Sequence, residues 1–206
     1  VEAVKQEFGK TQYLQPAAVY RFCRCASEGQ ALHLYADRQR SDPIATFHFQ
    51  RQTKAPGLCL ADYVNPTGGA PDNLCLMVTS VGRDAATKAE ELKQQGEYLR
   101  SVALLTMAIR TAEAYAEYLH AQFRRMWGIQ DEDLAMADIL KAKYKGCRYS
   151  FGYPACPNLD DQAKLWDLLQ PEEIGCELTE EMMMVPESSV SALVFHHPQA
   201  VYFSVK

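Results

Sequence analysis

Residues 73–81 read Asn73-Leu74-Cys75-Leu76-Met77-Val78-Thr79-Ser80-Val81, a continuous and mostly apolar run of strand length. A strand without polar alternation is buried on both faces, so this one belongs in the middle of a sheet. Three β-rich stretches come before it. Ala17 to Cys25 is rich in Val, Tyr and Phe, Ala31 to Ala36 alternates as Ala-Leu-His-Leu-Tyr-Ala, and Pro43 to Phe49 follows a polar turn. Together they read as an antiparallel meander, with Asn65 to Asp72 as the loop into the central strand. Helices come next. Asp84 is suited to an N-cap, and a helical pattern with one break near Gly96 runs to Trp127, where Gly128 supplies the stop. Further helices are predicted from about Asp131 to Lys143, and from about Leu159 to Leu169 with Asn158 as cap and Pro171 as terminator. The tail returns to strands at Met182–Val185, Val190–Phe195 and Val201–Val205, the last two joined by a turn over His196–Ala200. Residues 1–12 suit a short helix ending near Gly9. Strands, then helices, then strands indicate an α+β fold with an antiparallel sheet, residues 1–206 forming one domain.

Of 206 residues, 48% are hydrophobic and 23% charged, so the chain can build a core and is not disordered. Its 21 basic and 26 acidic residues leave a net charge of −5, which gives no electrostatic reason to seek nucleic acid. No run approaches the roughly 18 apolar residues needed to span a membrane. The seven cysteines, at 23, 25, 59, 75, 147, 156 and 176, include no CxxC pair. They fit a reducing compartment and a cytoplasmic location better than a disulfide framework or a zinc ribbon.

On the long helix, Leu105, Ile109, Ala112, Ala116, Leu119 and Phe123 recur at steps of four and three, a stripe expected to face the core. Beside it runs a polar stripe, Thr106, Arg110, Glu113, Glu117, His120 and Arg124, open to two readings: a solvated flank, or the wall of a site. No GxSxG, HExxH, GxxxxGK[ST] or strand-linked GxGxxG is present. His196 and His197 are adjacent and would point to opposite faces of a strand, a poor geometry for one metal. Cys23 and Cys25 read as small buried hydrophobes, and Met182–Met184 as flexible packing.

The most informative loop is Arg-Tyr-Ser-Phe-Gly-Tyr-Pro-Ala-Cys-Pro, residues 148–157. Arg148 offers a planar fork of donors matched to a carboxylate, and Gly152 lets the backbone approach a flat ligand. Tyr153 adds a stacking face, while Pro154 and Pro157 stiffen the exit. These pieces suit an amino-acid-like ligand carrying an aromatic base, and suit equally a loop that only braces a sheet.

The run Lys-Tyr-Lys-Gly-Cys-Arg-Tyr-Ser-Phe-Gly-Tyr-Pro-Ala-Cys-Pro (143–157) is followed by Leu178-Thr179-Glu180, Ser189 to Leu193, His197-Pro198 and Tyr202-Phe203-Ser204-Val205. With Pro16 to Phe22, Ser27-Glu28-Gly29, Phe47 to Gln52, Leu58 to Asp62 and Ala112 to Glu117, these blocks resemble, in order, the activation domain of cobalamin-dependent methionine synthase. The resemblance covers nearly the whole chain. It implies a twisted antiparallel sheet that binds S-adenosylmethionine in a shallow groove. The domain would present this methyl donor for reductive methylation of cobalamin that has oxidised to the inactive cob(II)alamin form. Cobalamin would be carried by a partner domain, the electron would come from flavodoxin or a flavin reductase, and the isolated fragment would not be catalytic alone.

By that resemblance Arg148 grips the methionyl carboxylate, Ser150 meets the adenine through its main chain, and Tyr153, the motif tyrosine after Gly152, faces the corrin. Tyr202 and Phe203 match an aromatic pair beside the ligand, and Glu113 an acidic position that balances the sulfonium or bonds the ribose. Three features depart from the family pattern. An Asp-Trp-Thr-Pro-type N-terminal segment, whose Asp helps hold the ligand's amino group, has no counterpart, since Glu2 and Glu7 lie in a different context. Ala142 replaces a frequently acidic residue, and Glu181 to Ser188 drifts from the family's run. The C-terminal extension is absent as well. Either the N-terminal segment has been cut away or the protein binds its ligand more weakly, and the chain is expected to be a piece of methionine synthase or a free-standing relative. The alternative is a docking module that has lost nucleoside binding and meets its partners through Lys141, Lys143, Lys145 and Arg148.

Overall fold

A computed structural model describes residues 6–9, 11–36, 42–130 and 134–206. Six strands form one fully antiparallel sheet: β1 (Ala17–Glu28), β2 (Ala31–Tyr35), β3 (Pro43–His48), β4 (Asp72–Ser80), β5 (Cys147–Tyr149) and β8 (Ser189–Phe195), in the order β3-β2-β1-β4-β8-β5. A separate pair joins β6 (Glu177–Leu178) to β7 (Met184–Val185). The helices are α1 (Asp84–Gln94), α2 (Tyr98–Met126), the single turn α3 (Met136–Ile139) and α4 (Gln162–Leu169).

The apolar run of residues 73–81 is central because both of its faces are covered. Leu74, Leu76 and Val78 of β4 join Cys23, Cys25, Leu193 and Phe195 in a core closed by Leu165, Trp166 and Leu169 of α4. Cys75 and Met77 point the other way, with Ala192 and Val194, onto Ala116, Leu119 and Phe123 of α2. Small alanines let α2 lie close to the sheet, where the Thr79 hydroxyl donates to the Ala112 carbonyl at 3.4 Å. None of the seven cysteines forms a disulfide, and all are buried. No helix among the described residues is long and apolar enough to cross a membrane.

Several expectations need correction. The buried line on α2 runs through Leu104, Ala108, Ala112, Ala116, Leu119 and Phe123, whereas Leu105 and Ile109 are 40% and 36% exposed. The first half of α2 packs on α1, through Ala85, Ala89 and Leu92, and this rotates its buried face by one residue, about 100°. Leu105 and Ile109 instead border a 610 Å³ cavity with Met184, Val185 and Pro186. Arg83, not Asp84, occupies the N-cap of α1, and Asn158 makes no side-chain capping bond because the chain enters α4 through a 3-10 turn, Leu159–Asp161. The helix expected over Asp131–Lys143 shrinks to α3, which buries none of its residues and so has no apolar face to extend; residues 131–133 lie outside the described residues. Of the N-terminal helix, residues 6–8 are helical before Gly9, and residues 1–5 and 10 lie outside the description.

Val201–Val205 is not a strand. Both edges of β8 are already taken, by β4 and by β5, so the tail has no ladder to join. Side chains and loop backbone hold it instead. Tyr149 Oη donates to the Val201 carbonyl at 2.7 Å, Gln52 Nε2 to that of Ser204 at 3.0 Å, and the Val205 amide to that of Pro154 at 3.1 Å.

Asp72 pins the far end of the sheet. Its buried carboxylate accepts the amides of Asn65 and Asn73 at 2.8 and 2.7 Å and lies 2.8 Å from His196 Nε2. Burial alone would raise the Asp72 pKa, but His196 and the two amides outweigh it and hold the group below the usual carboxylate range. A depressed folded pKa gives stability that is present above the unfolded value near 3.9 and lost as pH falls through the folded one. Asp72→Asn is therefore expected to cost about 1–3 kcal/mol at pH 7. Melting temperatures of the two proteins between pH 7 and 2.5 should converge below about pH 4; a gap that stays constant to pH 2.5 would refute the linkage.

Candidate functional site

Arg148 sits in the middle of β5, an edge strand, with Val194 of β8 opposite it in register. Cys147 and Tyr149 on either side point into the core beneath α4, so alternation turns Arg148 to the α2 side of the sheet. There it meets the C-terminal half of the polar stripe. Arg148 Nη1 donates to Glu117 Oε2 at 2.5 Å and lies 3.4 Å from both Tyr144 Oη and His120 Nδ1. Tyr144 Oη donates to the same Glu117 oxygen at 2.8 Å, and the Arg124 guanidinium lies 3.8 Å from the centre of the Tyr144 ring.

Burial would lower the Arg148 pKa, yet the Glu117 carboxylate beside it raises it, so the side chain is a fixed cation. His120 is fully buried. Desolvation, reinforced by Arg124 and Arg148, pushes its pKa down to about 2 and keeps the imidazole neutral. The polar stripe is thus both things at once: Thr106 and Arg110 are exposed, whereas His120 and Arg124 are buried.

Beside this cluster opens a cavity of 430 Å³. Glu113, Arg148, Ser150, Tyr153, Tyr202 and Phe203 all line it, so six of the seven residues proposed from sequence converge on one space. Gly152 does not line it. It makes the turn behind the wall, at φ +82°, and its amide donates to the Cys156 carbonyl at 2.9 Å. The rings of Tyr202 and Phe203 lean on Tyr149, at centroid distances of 5.5 and 6.4 Å. Glu113 stands at the mouth, half exposed and 3.1 Å from Arg110.

The site residues chosen from sequence left out Cys156 and Val190, which also line the cavity, and Tyr144 of the supporting group, while Glu117, His120 and Arg124 were present only as members of the polar stripe. The spacing of Glu117, His120 and Arg124 along one stripe with Glu113 was the available signal. Their convergence on Arg148 was not. Burial pushes the Cys156 thiol up to about 12, so it is protonated and no nucleophile. Among the described residues no group of three or more His, Cys, Asp or Glu is placed to hold a metal. With the fixed cation of Arg148 and the rings of Tyr153, Tyr202 and Phe203 in its lining, the cavity has the chemistry to take a zwitterionic, ring-bearing molecule.

Residues 2–206 match the family described as vitamin B12 dependent methionine synthase, activation domain. The chain belongs to this family. It is 35% identical over 203 residues to the methionine synthase of Mycobacterium tuberculosis (strain ATCC 25618 / H37Rv) and 33% identical over 202 to that of Mycobacterium leprae (strain TN). Each comparison covers 92% of this chain and 17% of the relative's length. The crystal structure of the MetH reactivation domain bound to AdoHcy superposes with a TM-score of 0.93 at 30% identity, over 99% of this chain and 66% of that one. The α+β architecture of the activation domain is thereby established.

Two departures from the family pattern can be placed in this activation domain. Glu7 pairs with Arg100 of α2 and is not among the residues that line the cavity, so it does not play there the part of the family's N-terminal Asp. Ala142 takes a left-handed conformation, φ +51°, directly before the Lys143–Lys145 stretch that leads into β5.

Proposed function

We propose that this activation domain binds S-adenosylmethionine in the 430 Å³ cavity and serves as a reactivation module of a cobalamin-dependent methionine synthase. One observation carries this reading: residues scattered over α2, β5, the following loop and the C-terminal tail line a single cavity. Its volume lies within the range of about 300–1,000 Å³ usual for small-molecule sites. The match to a reactivation domain holding AdoHcy, which lacks only the sulfonium methyl, supports it.

Arg148 holds the methionyl carboxylate through charge-assisted hydrogen bonds. The backbone at Ser150 meets the adenine, Tyr153 presents a ring at the open side, and Tyr202 with Phe203 close the wall and exclude water. Glu113, at the mouth, balances the sulfonium or bonds the ribose. Cobalamin, brought by another domain, supplies the acceptor for the methyl group. The domain positions the donor and leaves methyl transfer to the assembled enzyme. Calorimetric titration of S-adenosylmethionine and AdoHcy into the chain tests the reading. Saturable heat is expected from both ligands. Silence at millimolar ligand would sink it.

A docking role is favoured by a separate observation. Lys141, Lys143 and Lys145 border an open 490 Å³ hollow next to Tyr202, giving this acidic protein a local basic face, although Lys143 also lies 3.0 Å from Asp138. We read this face as the contact for an acidic electron donor of the flavodoxin type or a flavin reductase. Lys141→Glu with Lys143→Glu should weaken association at low salt by about an order of magnitude and flatten its ionic-strength dependence. An unchanged salt slope would remove the lysines from the interface.

A further inference from the structure

We infer that Glu117 is a positioning residue for the ligand's carboxylate: it clamps one nitrogen of Arg148 so that the opposite edge of the guanidinium is offered to the cavity. The inference rests on the ligand reading above and goes beyond it.

The geometry comes first. A guanidinium carries five N–H donors on three nitrogens in a rigid plane. Among the described residues, the side-chain contacts of Arg148 run through Nη1, to Glu117, Tyr144 and His120. A planar group held at one corner, on the helix side, has little freedom to turn. Its Nε–Nη2 edge is the pair of parallel donors left for a bidentate carboxylate.

Glu117 is itself held. Its Oε2 accepts from Tyr144 Oη as well as from Arg148, and its Oε1 lies 3.7 Å from Arg124 Nη1. The Tyr144 ring is gripped in turn between the Arg124 guanidinium and the edge of His120, whose ring centre is 5.3 Å away. Three side chains from α2 and the strand entry, His120, Arg124 and Tyr144, thus fix one carboxylate, which fixes one arginine.

Charge supplies a second, independent argument. Arg124 and Arg148 are cations, Glu117 is an anion and His120 is neutral, so among the described residues this buried cluster is one negative charge short. Glu113, one turn away, is half exposed and paired with Arg110, and does not supply it. A ligand carboxylate on the free edge of Arg148 completes two cations against two anions.

The sign of one experiment separates clamp from bystander. If Glu117 were only a competing charge, removing it would strengthen the hold of Arg148 on a carboxylate; if it is a clamp, removing it weakens that hold. The probes are AdoHcy and its decarboxylated counterpart S-adenosyl-3-thiopropylamine, titrated by calorimetry into the 206-residue chain and its Glu117→Gln variant. The unaltered chain should prefer AdoHcy. In Glu117→Gln, AdoHcy affinity should fall about ten-fold or more while the amine changes less than about two-fold. Tyr144→Phe, which keeps the ring and removes one bond to Glu117, should shift AdoHcy alone by a smaller factor, and it carries the test should Glu117→Gln not fold. If the unaltered chain binds neither probe, the ligand reading fails. If it prefers AdoHcy and the variants keep or increase that preference, the ligand reading stands and the clamp is wrong.

Discussion

Arg148→Ala should abolish detectable binding of AdoHcy at concentrations that saturate the unaltered chain, an affinity loss of at least about 100-fold. Two charge-assisted hydrogen bonds to a carboxylate, at about 1.5–3 kcal/mol each, account for that factor. The same substitution strips Glu117 of its closest partner. Removing one side of a fully buried ion pair costs about 3–5 kcal/mol, and since 21% of Arg148 and 23% of Glu117 remain exposed, about 2–4 kcal/mol is expected here. Calorimetry below the melting transition separates the two effects. Arg148→Lys keeps the charge but not the fork, so it should recover part of the stability and little of the affinity. Full AdoHcy affinity in Arg148→Ala would remove the guanidinium from the site.

The largest effect on the fold is expected at Gly146, immediately before β5. Its φ of +79° is a left-handed conformation that costs a side-chain-bearing residue about 1–2 kcal/mol. A β-carbon there would also stand 2.7 Å from the Phe195 carbonyl oxygen and 3.3 Å from Ile129 Cδ1. The first neighbour is backbone of β8 and cannot swing aside. Gly146→Ala should therefore cost about 3 kcal/mol or more, lowering the melting temperature by roughly 6–12 °C for a domain of this size. It should weaken AdoHcy binding as well, because the strand that is pushed away carries Arg148. Gly29 is the control: its φ is +61°, but nothing lies within 4 Å of the place a β-carbon would take, so Gly29→Ala should cost only about 1 kcal/mol. Equal losses at the two glycines would show that the close approach to Phe195 has no energetic weight.

The apolar run 73–81 was enough to place the central strand, because a segment without polar alternation has only one comfortable position in a sheet. The meander before it and the break at Gly96 were legible for the same kind of local reason, β-rich composition with alternation and a lone glycine in a helical pattern, and Gly96 indeed takes φ +80° between α1 and α2. Periodicity failed where two neighbours competed for one face. Leu105 and Leu104 fit a helical stripe equally well, and only the packing of α1 chose Leu104. Val201–Val205 has the composition of a strand but found both edges of β8 occupied.

At the site, residue chemistry and family resemblance picked out Arg148, Ser150, Tyr153, Tyr202, Phe203 and Glu113 before any geometry was known, and the fold brought these six to one cavity. Gly152 was legible as a turn and proved to be that, behind the wall. What the amino-acid order determined by itself was most of the strands and helices, which follow from local spacing, and the chemistry that Arg148, Gly152 and Tyr153 could offer a ligand; Ser150, Tyr202, Phe203 and Glu113 came from the family resemblance. The tertiary structure alone decided that Glu117, His120, Arg124 and Tyr144 gather around Arg148. Their partnership spans up to 31 residues and depends on how far α2 is rotated against the edge of the sheet, a quantity set by packing across the core and by no short stretch of chain.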